Sequence, residues 1–139
     1  MKVEILKLED IESYKALIDE CFGSSNDLEQ YKRYSENQAY TIFIIKDGDK
    51  IVGSATQYII DLFTFRFQPL LMIFNVAVKH DYRRKGIAQE LLQHIIENAK
   101  KDGYNSISLT CLDDAYSAHK LYESLGFKKA SSIKYDLYL

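Results

Sequence analysis

The chain has 139 residues, a formal net charge of −2 at pH 7, 47% hydrophobic and 27% charged residues. These values describe one soluble globular domain over residues 1–139, long enough for a real core and too short for two. They give no bulk support for nucleic-acid binding and contain no run that reads as a membrane span. The N-terminal "MKVEILKLED" carries charges too early for a signal peptide, so cytoplasmic residence is the expectation.

In chain order, "VEILK" (3–7) reads as a short first strand. Ile11, Tyr14, Leu17, Ile18, Cys21 and Phe22 recur at helical spacing, and Gly23 is placed to end that helix. A second helix is expected around 26–35 with Asn26 or Asp27 as cap, serving as a substrate-side lid or as a plain connector. "KDGD" (46–49) is a turn between two β-rich runs that start at Tyr40 and end near residue 61. Residues 69–78, "PLLMIFNVAV", are apolar almost throughout, as expected of a strand covered on both faces. Between the runs, "FTFRFQ" (63–68) alternates aromatic and polar residues, either as a hairpin end or as a rim facing substrate.

Beyond the basic stretch "DYRRKG" (81–86), Ile87, Leu91, Ile95 and Ala99 fall at four-residue intervals, widened by Leu92 and Ile96. This predicts a helix with one buried face, ended near Gly103. "NSISLTCL" (105–112) alternates as a strand. Ala115, Ala118, Leu121, Tyr122 and Leu125 predict a further helix, with Asp113 or Asp114 as cap and Gly126 as stop. "FKKASSIKYDLYL" (127–139) reads as a final hairpin or pair of strands. The order β-α-α-β-β-β-α-β-α-β gives a mixed α/β domain with one strand–helix–strand crossover near its middle.

The chemistry concentrates at the basic turn. A strand, a glycine-containing turn and a helix start make an anion site, because the first helical N–H groups lack internal partners and the helix dipole adds about half a positive charge. Gly86 admits close backbone approach, Ala88 keeps the next position small, and Arg83, Arg84 and Lys85 add charge. Neither G-x-x-x-x-G-K-[ST] nor a three-glycine dinucleotide fingerprint is present. The residues themselves therefore predict an anion site for a pyrophosphate, with a solvated basic turn as the alternative. Three scattered histidines and two isolated cysteines give no metal-ligand spacing. Cys21 and Cys111 read as buried small apolar residues, not as a disulfide.

Two segments carry a family resemblance. "NVAVKHDYRRKGIAQELLQHIIENAKKDG" resembles the acyl-CoA-binding core of the GNAT superfamily of N-acetyltransferases. Its Q/R-x-x-G-x-G/A signature is matched by Arg83-Arg84-Lys85-Gly86-Ile87-Ala88. An A-x-x-x-Y-x-x-x-GF pattern is matched by "AHKLYESLGF" (118–127). The match runs from about residue 40 to the C-terminus; the first third fits by its layout alone.

The resemblance implies a mostly antiparallel mixed sheet with a V-shaped splay between strands four and five, flanked by about four helices. It implies acetyl-CoA as co-substrate, with its pantetheine arm along Val76, Ala77 and Val78 in the manner of an added strand. The diphosphate would lie on the amides of Arg84, Lys85, Gly86, Ile87, Ala88 and Gln89, with Arg83 beside them. Tyr122 stands where the family places a general acid for the departing thiolate, and a backbone N–H near Val76 would polarise the carbonyl.

Two positions depart from the family pattern. Phe74 and Asn75 stand where many relatives carry a strand glutamate, and Ala115 stands in place of an asparagine. The base candidates are Asp113, Asp114, His119 or a water held by Asn75. The expected function is transfer of an acetyl group to a primary amine, of a small molecule first. A non-catalytic acyl-CoA-binding module and a partner-binding domain without nucleotide are the alternatives. Tyr58, Asp61, Phe65, Arg66 and Phe67 lie where relatives build the acceptor pocket, and the "KYDLYL" edge points to a homodimer.

Overall fold

The computed structural model describes residues 1–61 and 66–139. In chain order the elements are β1 (Val3–Ile5), α1 (Ile11–Phe22), α2 (Leu28–Ser35), β2 (Tyr40–Asp47), β3 (Lys50–Ile60), β4 (Leu70–Val78), α3 (Ile87–Lys101), β5 (Ser106–Ser108) and α4 (Tyr116–Ser124). Among the described residues the strands form one sheet in the order β1-β2-β3-β4-β5. The first four run antiparallel, and β5 joins parallel to β4 after the α3 crossover. The expected mixed sheet with four flanking helices is therefore found.

Alternation along β2 and β3 divides the apolar residues between two layers. Phe43, Ile45, Val52, Ala55, Leu71 and Ile73 meet Ile87, Leu91, Leu92 and Ile95 of α3. On the other side Ile42, Ile44, Ile51 and Ala77 meet Ile11, Tyr14, Leu17 and Ile18 of α1. Each fully buried Leu or Ile is worth about 2 kcal/mol, so these two layers carry most of the stability. Helix α3 lies close on the sheet because of Gly53: a Cβ there would stand 2.3 Å from Ile87 Cγ2. At the other end of the chain order, α1 stops at Gly23 (φ +62°), and Asp27 caps α2 with its N–H bonded to the Gln30 side chain at 3.0 Å.

The splay has a local cause in β4. Its pairing with β5 covers only Leu70–Met72, after which β4 runs on for six residues. On its β3 side, Asn75 and Val76 together oppose Ala55, between the pairs Ser54↔Ala77 and Thr56↔Phe74. This is a β-bulge, and Asn75 takes a left-handed φ of +53° within it. The bulge corrects the expectation of a strand covered on both faces, because it turns Phe74 and Asn75 to solvent.

Three other expectations are corrected. Strand β5 is three residues long instead of eight, since β4 leaves it after Met72. Neither Asp113 nor Asp114 caps α4, whose N-cap is Ala115 without a side-chain bond. Residues 128–139 form no strand: Ile133, Tyr135, Leu137 and Leu139 alternate as strand residues do, yet all four are exposed and find no ladder. Of the "FTFRFQ" stretch, residues 63–65 lie outside the described residues; Arg66 and Phe67 are exposed with φ of +58° and +62°.

Candidate active site

The unpaired end of β4 leads straight into the basic turn. Lys79 N–H donates to Val52 O at 2.8 Å, which keeps the chain on the sheet as the strand ends. The Glu20 carboxylate of α1 then accepts from Lys79 Nζ at 2.9 Å and from the His80 N–H at 3.0 Å. Those bonds, the lysine first, hold the Glu20 carboxyl below the usual carboxylate range. Tyr82 donates its hydroxyl to Asp47 at the β2–β3 turn, and the neighbouring carboxylate raises the phenol above its ordinary 10.

The backbone of the turn is shaped to expose amides. Arg84 (φ +63°) and Gly86 (φ +78°) are both left-handed, with Lys85 between them. Alternating handedness of this kind aims successive N–H groups into one concavity. The Glu90 N–H is the first to close a helical bond, onto Gly86 O at 3.0 Å, so the N–H groups of Ile87, Ala88 and Gln89 have no helical acceptor. Gly86 meets the requirement without strain, whereas Arg84 carries a conformation that usually costs about 1–3 kcal/mol.

This turn closes one end of a cleft of about 640 Å³. Of the residues expected from sequence, Val76, Ala77, Val78, Arg83, Arg84, Gly86, Ile87, Ala88, Gln89 and Tyr122 line it together. Lys85 does not, because its ammonium sits 5.0 Å from the Tyr82 ring centre, on the outside of the turn. The Arg83 side chain folds back so that its Nε donates to Val78 O at 3.2 Å. The opposite wall comes from Ser117, Ala118 and Leu121 of α4, and the floor from Cys21 and Phe22 of α1. Ala118 falls in the A-x-x-x-Y pattern; no local signal could have placed Cys21, whose thiol donates to Val78 O at 3.4 Å across 57 residues of chain. It is half-buried and hydrogen-bonded, not the inert core residue expected.

A second cavity, of about 370 Å³, lies on the other side of Tyr122. It is lined by Met72, the β5 strand end, Cys111, His119 and the start of the C-terminal tail. Tyr122 therefore faces both spaces. Burial, with negative charge at Cys111 as the second cause, raises its phenol above its ordinary 10, well clear of neutral pH. Asp113 and Asp114 are exposed and line neither space, and no Asp, Glu or His is among the described residues lining the first. Instead of pointing at the first cleft, His119 lines the second, where its Nε2 meets Leu112 O at 2.9 Å. No helix among the described residues is long and apolar enough to cross a membrane, and no cluster of three metal-ligating side chains occurs among them.

The sequence model of the acetyltransferase (GNAT) family matches residues 11–127. The [ribosomal protein bS18]-alanine N-acetyltransferase of Escherichia coli K12 is 34% identical over 103 residues, covering 72% of this chain and 64% of that enzyme. Human N-acetyltransferase 8B is 31% identical over 98 residues, covering 70% of this chain and 43% of that protein. In both cases the aligned part is less than two thirds of the relative's length. Among solved structures, a ribosomal-protein-alanine N-acetyltransferase from Brucella melitensis superposes with a TM-score of 0.86 at 18% identity, over 100% of both chains. An aminoglycoside acetyltransferase from an uncultured soil sample superposes with a TM-score of 0.85 at 21% identity, covering 99% of this chain and 95% of its own. With the family match spanning most of the sequence and the fold shared over its whole length, the chain belongs to the acetyltransferase (GNAT) family.

Proposed function

We propose that the chain is an N-acetyltransferase that moves the acetyl group of acetyl-CoA to a primary amine by direct attack on the thioester. The observation that carries this reading is one continuous cleft with an unpaired strand edge, exposed helix-start amides and a half-buried phenol. A coenzyme with a diphosphate, an amide-bearing arm and a terminal thioester has the three parts that fit those features in that order. The diphosphate would be held by the N–H groups at the Gly86 entrance with Arg84 beside them. The arm would extend along Val76–Val78, taking up backbone groups that β5 leaves unused. For it to bond the Val78 carbonyl, the Cys21 and Arg83 donors now on that oxygen must share or release it.

At the far end, attack of a neutral amine on the thioester builds charge on the carbonyl oxygen and then expels a thiolate. Tyr122, held protonated by burial, is the donor for that sulfur. The N–H groups of the bulge around Asn75 and Val76 are the fixed dipoles nearest the carbonyl in this arrangement. Asn75 can orient a water or an amine but cannot take a proton.

A small-molecule amine is the first acceptor class. A protein N-terminal amine is the second, favoured by the likeness to the bS18-alanine enzyme. Calorimetry with acetyl-CoA tests the cleft, and thiol release with a panel of amines and alanine-initiated peptides tests the reaction. Tyr122→Phe is expected to lower kcat about a hundredfold while leaving acetyl-CoA affinity within a factor of about three. Full turnover by that variant would remove the acid assignment, and a non-catalytic binding module would show coenzyme affinity with no thiol release.

A further inference from the structure

Cys111 follows the last residue of β5 by three positions, and α4 brings His119 back over it. The Cys111 Sγ lies 3.8 Å from Nδ1 and 3.7 Å from Nε2 of that imidazole. Nε2 also sits 2.9 Å from the carbonyl oxygen of Leu112. A carbonyl oxygen only accepts, so Nε2 is the nitrogen that carries the proton in this contact. The neutral ring therefore keeps its lone pair on Nδ1. The nearly equal sulfur distances leave the thiol within reach of Nδ1 without a committed bond to either nitrogen. Contacts of this kind are loose before a substrate is bound.

A thiol, a base and a group that orients the base are the parts of an activated nucleophile. Here the thiol and the base line the 370 Å³ cavity that shares Tyr122 with the coenzyme cleft, and the Leu112 carbonyl orients the base beside it. The proximity of Cys111 to that phenol is felt electrostatically, since negative charge on its sulfur adds to burial in raising the phenol. Both cysteines are free, and the other one, Cys21, is committed to the Val78 carbonyl.

We infer that Cys111 is an acetyl acceptor within the chain itself, taking the acetyl group from acetyl-CoA with His119 as its base. This rests on the coenzyme reading of the cleft. The thiol proton passes to His119 Nδ1, and the sulfur electron pair forms a bond to the acetyl carbon. The bond from that carbon to the coenzyme sulfur breaks, and the imidazolium returns the proton to the leaving thiolate. One thioester is exchanged for another, so no oxidant or energy source is needed and the step is reversible. Free coenzyme A resets the enzyme, and the cysteine becomes acetylated when acetyl-CoA is plentiful and acceptor amine is scarce.

The test is mass spectrometry of the full chain after incubation with acetyl-CoA and no amine. One acetyl increment is expected, removed by neutral hydroxylamine and by added coenzyme A, and mapped to the tryptic fragment 102–120 that carries Cys111. The increment is absent in Cys111→Ala and forms about a hundredfold more slowly in His119→Asn. Cys21, half-buried in the folded chain, is the control inside the same molecule, because loss of folding in a variant would expose it and raise its labelling. Equal labelling of Cys21, or acetylation stable to hydroxylamine and confined to lysines, overturns the inference. Unmodified Cys111 in a chain shown by calorimetry to bind acetyl-CoA overturns it too, and leaves the proposed function standing. If acetyl-CoA does not bind, the acetyl thioester of N-acetylcysteamine, which lacks the diphosphate, still reaches the pair. Selective labelling of Cys111 by that thioester sustains the Cys–His assignment, and its failure ends it.

Discussion

Helix α3 sets five buried side chains into the sheet, Ile87, Leu91, Leu92, Ile95 and Ala99, whereas α4 buries none completely. The first begins at the anion turn and the second carries Tyr122. Around α3, the sheet is long and its turn is pinned from three sides, by Glu20, by Val52 and by Asp47 through Tyr82. Around α4, support is a three-residue strand and the partial burial of Leu121, Tyr122 and Leu125. Under the proposed function the amides of this turn hold the diphosphate, which works only if they are already aimed, and a rigid core aims them. In the same reading the Tyr122 end admits the acceptor, and its looser packing leaves space on both sides of the phenol.

The strongest way to break that contrast is by truncation. Leu91→Ala in α3 should cost about 2–5 kcal/mol in chemical denaturation, and Leu121→Ala in α4 about 1 kcal/mol or less. Equal losses would mean that the two helices are held alike. Tyr14, on the buried face of α1, sharpens the same point through pH: burial pushes its phenol up to about 12. A raised folded-state value means stability is intact below 10 and is lost as pH climbs from 10 toward 12. That loss should reach about 3 kcal/mol and be missing in Tyr14→Phe, read from denaturation midpoints across that range.

A smaller effect is expected at the turn itself. Gly86→Val forces a branched residue to φ +78° and should cost about 1–2 kcal/mol, although open space surrounds the position. Its acetyl-CoA affinity should fall about tenfold or more by calorimetry, while Lys85→Ala, outside the cleft, should change it little. The smallest effect is at Glu20, whose carboxyl is lowered by Lys79 and the His80 N–H but is open to water. A lowered value places its contribution above the ordinary carboxylate range and removes it as pH falls through the folded-state value. Glu20→Gln should therefore flatten the acid side of the melting profile slightly and leave neutral stability nearly unchanged.

Much of this molecule is written in local pattern. The four-residue stripe from Ile87 to Ala99, the caps at Gly23 and Asp27, and the glycine at 86 each follow from rules that act over one or two helical turns. Those rules were enough for the sheet-and-helix order and for one wall of the cleft. They misjudged the C-terminus, because the alternation of Ile133, Tyr135, Leu137 and Leu139 describes a strand only when a neighbouring edge accepts it. They also missed the bulge at Asn75, since an extra residue in one strand is defined by its partner.

The sequence by itself determined where most helices lie and where glycine is needed, since these depend on backbone preference and spacing along the chain. The tertiary structure alone decided that Cys21 bonds the end of β4, that Arg84 is left-handed, and that Cys111 meets His119 beside Tyr122. Such encounters arise from how distant segments pack, and packing answers to the shape of the whole core, which no short window of residues contains.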